Sequence, residues 1–250
     1  MCRLMAFVSA QTRDFPSVVG EHFPEFVALS SFHKDGWGIA INNAHKPQVL
    51  LARAPERAES SARFQDEIRM LHGEGGLLHL RWATSGLENC EENTHPFVHG
   101  QYSFIHNGDI RPREKLDEFI RPELNEIRTG DTDSERYFFL LLTEITKLGL
   151  VDGIRSAIRI IDSHCSYSSI NSMLLTPEYL VIITKYNQEK IPAGQPSDYY
   201  QLSYLKSKDD FTIASSGWSQ NGWTPLPNSS VLIVERSNQN LVLLSGKDLQ

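Results

Sequence analysis

Met1-Cys2-Arg3-Leu4-Met5-Ala6-Phe7-Val8-Ser9 opens the chain and sets a cysteine at the start of a predicted strand, Cys2 to Ser9. Removal of Met1, for which a small second residue is suited, would leave Cys2 with a thiol and a free α-amino group. The thiolate is the attacking form of cysteine. An α-amino group titrates near pH ~8, against ~10.4 for lysine. It can therefore be free base at neutral pH and relay a proton to and from the thiol. A nucleophile served by its own α-amine is one solution to acyl transfer. Taken alone, a cysteine that merely follows Met is the commoner reading, so the rest of the chain decides.

A length of 250 residues can bury one large core or two small ones. No composition shift marks a boundary, so residues 1–250 are read as a single domain. With 40% hydrophobic and 22% charged residues the composition is that of an ordinary globular protein. A formal net charge of −7 argues against nucleic-acid binding, which needs a basic surface. The three cysteines, Cys2, Cys90 and Cys165, are widely spaced and suggest neither a disulfide framework nor a paired-cysteine zinc site. That usage suits a reducing cytoplasm. The apolar patch at the N-terminus is too short for a secretory signal. No run approaches the ~18 apolar residues of a membrane span. No metal is expected: among nine histidines the nearest pair, His95 and His99, flanks Pro96 in a predicted loop.

Strand patterns cluster at both ends of the chain. The first group is Cys2 to Ser9, Trp37 to Asn42, Gln48 to Arg53, Leu77 to Ala83 and Tyr102 to His106. The second is Ser172 to Thr176, Tyr179 to Lys185, Tyr199 to Leu205, Phe211 to Ser215, Val231 to Glu235 and Leu241 to Ser245. The turn formers Asn42 to Pro47 predict a hairpin. Helical spacing marks Ser60 to Leu71, Pro112 to Phe119, Asp133 to Leu148 and Val151 to Ile161, while Phe15 to Leu29 reads as irregular or weakly helical. This is not the alternation of a doubly wound sheet. It predicts an α+β protein with two mainly antiparallel sheets and helices packed outside them.

Three positions carry a physical reading of their own. Arg81 ends an apolar strand, where a guanidinium can hold a carboxylate through two parallel hydrogen bonds. Asn107 and Gly108 follow the strand Tyr102 to His106. A side-chain amide and a glycine N–H can supply donors to a developing oxyanion. Asn-Gly is also a turn signal, and both readings are kept: the turn is the oxyanion hole. Asp133 opens the longest helix, where Thr132 or Asp131 could act as cap, with Asp131 preferred. Cys90 and Cys165 are read as buried packing residues.

Six blocks occur together: Cys2-Arg3, His33-Lys34-Asp35-Gly36-Trp37-Gly38, Leu80-Arg81-Trp82-Ala83-Thr84, Asn93-Thr94-His95-Pro96, His106-Asn107-Gly108, and Gly130-Asp131-Thr132-Asp133-Ser134-Glu135. In this order they resemble the class II glutamine amidotransferase family, from Cys2 to about Leu142. The resemblance implies an N-terminal-nucleophile hydrolase fold, a four-layer αββα sandwich. The Met1-Cys2-Arg3 start and the His33 to Gly38 block are most similar to short stand-alone members. These include bacterial amidotransferase-like proteins, the glutathione-degrading subunit of yeasts and the γ-glutamyl amidohydrolase of ergothioneine biosynthesis. Larger members carry an Arg-Gly pair where this chain has Phe32-His33-Lys34.

The resemblance makes Cys2 the nucleophile and Asn107 and Gly108 the oxyanion hole. Arg81 would bind the substrate α-carboxylate and Asp133 its α-ammonium, with Trp82, Thr84 and His95 lining the pocket. No cofactor is implied. The expected reaction is hydrolysis of a γ-glutamyl amide through a Cys2 thioester. The substrate is glutamine or a γ-glutamyl compound. A glutaminase subunit with an ammonia-accepting or peptidase partner, and a non-catalytic glutamine-binding module, stay open as alternatives.

Overall fold

The computed structural model describes residues 2–43, 46, 48–83 and 86–249. The expectations for Met1, for Thr84 and for the turn residues 44, 45 and 47 lie outside the described residues.

The chain lays down β1 (Arg3–Arg13), α1 (Phe15–Val19), α2 (Phe23–Ala28), β2 (Gly36–Asn42), β3 (Leu50–Ala54), α3 (Ala62–Met70) and β4 (Gly73–Arg81). It continues with β5 (Phe97–His99), β6 (Tyr102–Arg111), α4 (Pro122–Glu126), α5 (Asp133–Leu148), α6 (Leu150–His164), β7 (Ser166–Leu175) and β8 (Tyr179–Thr184). It closes with β9 (Leu202–Lys206), β10 (Asp210–Ser215), β11 (Thr224–Pro225), β12 (Ser230–Glu235) and β13 (Leu241–Ser245). One sheet has the order β11-β9-β10-β1-β4-β2-β3 and the other β13-β12-β8-β7-β6-β5.

Side chains alternate across a strand, and β1 shows what this does here. Leu4, Ala6 and Val8 enter the core between the sheets with Ile105, Met173 and Leu232. Met5 and Phe7 point the other way, into an outer core with Phe15, Phe26, Trp37 and Phe64. Because both faces are covered, β1 reads as a nearly continuous apolar run. The second sheet's outer face carries Phe104 and Leu174 against Phe138 and Leu141 of α5 and Ile158 of α6. Each such side chain contributes roughly 1.5–3 kcal/mol of burial. The layers are therefore α, β, β, α, as expected.

α5 has the bounds read from sequence, and its residues Asp133 to Glu144 are all buried. Its N-cap is Thr132, whose hydroxyl accepts from the Glu135 N–H at 3.0 Å, so the preference for Asp131 is corrected. Asp131 instead pairs with Arg113 at 2.7 Å and Arg136 at 2.9 Å. Asn107-Gly108 is not a turn either. β6 runs through it, pairing Asn107 with Asn171 and Gly108 with Ile170, and the register shifts between Gly108 and Ile110. Arg113–Phe119 is a 3-10 helix rather than an α-helix begun by Pro112. Cys90 and Cys165 are partly exposed rather than buried.

Candidate active site

The C-terminal end of β4, the middle of β6, the start of β1 and the first turn of α5 meet at one point. Arg3 pairs with Leu80 across β1 and β4, so Cys2 falls beside the end of β4. The Trp82 N–H donates to Cys2 Sγ at 3.4 Å, and the thiol donates to the Trp82 carbonyl at 3.6 Å. Burial pushes the Cys2 thiol above its ordinary range, opposed by the Trp82 N–H and the Arg81 charge.

Cys2, Arg81, Trp82, His95, Gly108 and Asp133 line one cavity of about 30 Å³. Leu87 and Asn93, from the segment after β4, line it too. Arg81 is buried; its Nη1 donates to Asn89 Oδ1 and its Nη2 to the Glu88 carbonyl at 3.4 Å. Asn93 holds the same Glu88 carbonyl at 3.1 Å. Asp35 fixes the turn of chain beyond Arg81: its N–H donates to the Arg81 carbonyl at 3.1 Å and its Oδ2 accepts from the Ala83 N–H at 2.8 Å. This gives the block around Asp35 a positioning use that its residue types alone did not disclose.

Gly108 sits where a Cβ would come within 1.7 Å of the Ser169 carbonyl oxygen, so no larger residue fits this backbone approach. Beside it Asn107 is buried, and its Oδ1 has no hydrogen-bond partner among the described residues. Asp133 is buried and accepts from the Ile110 N–H at 2.8 Å. Burial raises its pKa, against the pull of His106 and the Ile110 N–H. The Ser134 hydroxyl stands between His106 Nδ1, at 2.8 Å, and Asp133 Oδ1, at 3.4 Å.

Sequence reasoning missed a buried histidine cluster here. His79 and His95 stack at 4.1 Å and 26°. The Nε2–H of His79 donates to the His106 carbonyl at 3.3 Å, while both ring nitrogens of His95 lack partners among the described residues. Burial pushes His79 down to about 3 and His95 well below its ordinary value, so both are neutral at pH 7. The alternation of β4, which turns His79 to the same face as Arg81, was the available signal.

This cluster sets a direction for acid stability. Unfolded, His79 binds a proton below about pH 6.5; folded, it does so only near 3. Stability therefore falls as pH drops through that window. Asp133 acts oppositely: its contribution is complete below 3.8 and is lost as pH rises through its raised folded value. By linkage His79 alone should cost roughly 2 kcal/mol at pH 5 relative to pH 7.5. Urea unfolding at the two pH values, in the native chain and in His79→Gln, checks this. An equal pH dependence in both would contradict it.

The glutamine amidotransferases class-II family model matches residues 1–177, and the chain belongs to that family. It is 24% identical to the probable glutamine amidotransferase DUG3 of Saccharomyces cerevisiae, over 94% of this chain and 82% of that one. It is 28% identical to a glutamine–fructose-6-phosphate aminotransferase of Buchnera aphidicola, covering 73% of this chain but spanning only 30% of that enzyme's length. A glutamine aminotransferase class-II domain protein from Silicibacter pomeroyi superposes with a TM-score of 0.69 at 19% identity, over 98% of this chain and 99% of that one. The fold is that of the N-terminal-nucleophile hydrolases.

Proposed function

We propose that this protein hydrolyses γ-glutamyl amides, with Cys2 as nucleophile and the whole chain as one catalytic domain. The observation that carries the reading is the convergence of Cys2, Arg81, Gly108 and Asp133 on one cavity. With Met1 removed, the Cys2 α-amine takes the thiol proton, which burial otherwise holds in place. The thiolate attacks the amide carbon. Asn107 and the Gly108 N–H hold the oxyanion. The C–N bond then breaks, and the α-ammonium returns its proton to the leaving nitrogen. Water, deprotonated by the α-amine, attacks the thioester; the C–S bond breaks, releasing glutamate and the thiol.

Arg81 and Asp133 hold the two ends of the glutamyl zwitterion. A bound ammonium would draw Asp133 back toward its ordinary range. Arg81 donates through Nη1 to Asn89 and the Asp35 carbonyl and through Nη2 to the Glu88 carbonyl, so a carboxylate gripped by both Nη atoms competes with Asn89 and Glu88. His95 lines the same cavity, its ring between those of His79 and Phe97. Incubation with glutamine and with γ-glutamyl amides, followed by a glutamate assay, tests the reading. Release of glutamate is expected; none from any of them would refute it.

A further inference from the structure

Arg3 lies on the opposite face of β1 from Leu4, beside a second cavity. It is 6% exposed. Its Nη1 donates to the Tyr199 carbonyl at 3.0 Å, and its guanidinium carbon lies 4.8 Å from the Tyr199 ring centroid. Its buried Nε has no partner among the described residues. None of the ion pairs among the described residues includes it; the groups that favour its charge are, in order, the Tyr199 phenol, the Cys2 thiol and Asp198, which is exposed in the preceding loop. A cation this deeply buried is costly unless an anion meets it.

The space beside it is open. Arg3, Phe32, His33, Trp82, Tyr199 and Gly217 line a cavity of about 280 Å³. Phe32 is 72% exposed and Trp82 44%, an aromatic mouth on a cationic floor. The His33 and Trp82 rings meet edge to face at 5.8 Å. Trp82 also borders the small cavity that contains Cys2, so it lines both spaces. The larger cavity shares neither Arg81 nor Asp133 with the small one. Another cavity, of about 370 Å³, lies on the Asp133 side. With the glutamyl α-groups anchored on Arg81 and Asp133, the amine leaves from Cys2 away from those anchors, toward Trp82 and Arg3.

Resting on the hydrolase reading above, we infer that the Arg3 cavity receives the leaving amine and selects amines bearing a carboxylate. The substrates are then γ-glutamyl amino acids or short γ-glutamyl peptides in preference to glutamine or simple alkylamides. The carboxylate supplies the anion that Arg3 lacks, through the donors a guanidinium presents in a plane. Phe32 and Trp82 cover the amine's side chain.

Binding separates this from catalysis. Isothermal titration of Cys2→Ala, which cannot turn over, compares γ-glutamylglycine with γ-glutamylglycinamide, in which a neutral carboxamide of similar shape replaces the glycine carboxylate. The carboxylate ligand is expected to bind at least 10-fold tighter. Adding Arg3→Met should erase the difference, and adding Arg3→Lys should retain part of it. If the Arg3→Met chain does not fold, the two-ligand comparison in Cys2→Ala stands alone. Equal affinities, or no measurable binding of either ligand, overturn the proposal. A glutamate assay on the native chain that is negative with every substrate, alongside a preserved carboxylate preference, overturns the hydrolase reading instead.

Discussion

Cys2→Ala should reduce glutamate release to background, at least ~10⁴-fold, because Cys2 is the one cysteine among the described residues that line the cavity. The fold should survive. The thiol is partly buried and, among the described residues, makes two weak sulfur hydrogen bonds, both to the Trp82 backbone. Its loss removes a small side chain from the edge of the structure rather than from its core. Circular dichroism and thermal melting of the variant should therefore match the native chain. Retention of a tenth of the native activity would show that Cys2 is not the nucleophile. Loss of the fold would leave the Cys2 contacts, rather than its chemistry, as the reason for inactivity.

Asn107→Ala should lower kcat by ~100- to 1000-fold, roughly 3–4 kcal/mol, with little change in KM, since it acts on charge present only during reaction. Arg81→Ala should fail differently. Its carboxylate partner is the same in ground and transition states, so KM should rise first, with some loss of kcat from mispositioning. The structure adds a structural consequence for Arg81. Its side chain also holds the segment around Glu88 and Asn89, so Arg81→Ala should make that segment more susceptible to proteolysis. Steady-state kinetics of both variants on one γ-glutamyl substrate read the split. A raised KM with unchanged kcat in Asn107→Ala would make Asn107 a binding residue and move the oxyanion hole elsewhere.

Much of this fold lies open in the sequence where hydropathy and local chemistry agree. α5 is legible because Tyr137 to Leu142 is an apolar run behind a capping residue. β13, from Leu241 to Ser245, is bounded by turn formers. β7 is only half legible. Its first residues, Ser166 to Ser169, are polar and become strand through pairing with the far half of β6, Ile110 with Tyr167 and Arg111 with Ser166. The same pairing overrides the local Asn-Gly signal. A turn preference of one dipeptide yields to a ladder that continues on both sides of it.

The site divides in the same way. Cys2, Arg81, Asn107, Gly108 and Asp133 stand out because each residue type suits one part of the chemistry. The grip of Asn89 and Glu88 on Arg81 does not stand out, nor does the stack of His79 on His95. Nor does the absence of Arg3 from the ion pairs among the described residues. Each depends on contacts between segments whose sequence separation says nothing about distance, such as Arg3 with Tyr199.

Covalent labelling tests the Cys2 assignment most directly. A glutamine-like diazo-ketone presents α-amino and α-carboxylate groups to Asp133 and Arg81 and its reactive carbon to the thiol. After reaction, peptide mapping by mass spectrometry should find the adduct on Cys2, on a peptide that begins at Cys2 because Met1 has been removed. An adduct carried mainly by Cys90 or Cys165, or full activity of protein that retains Met1, would contradict it.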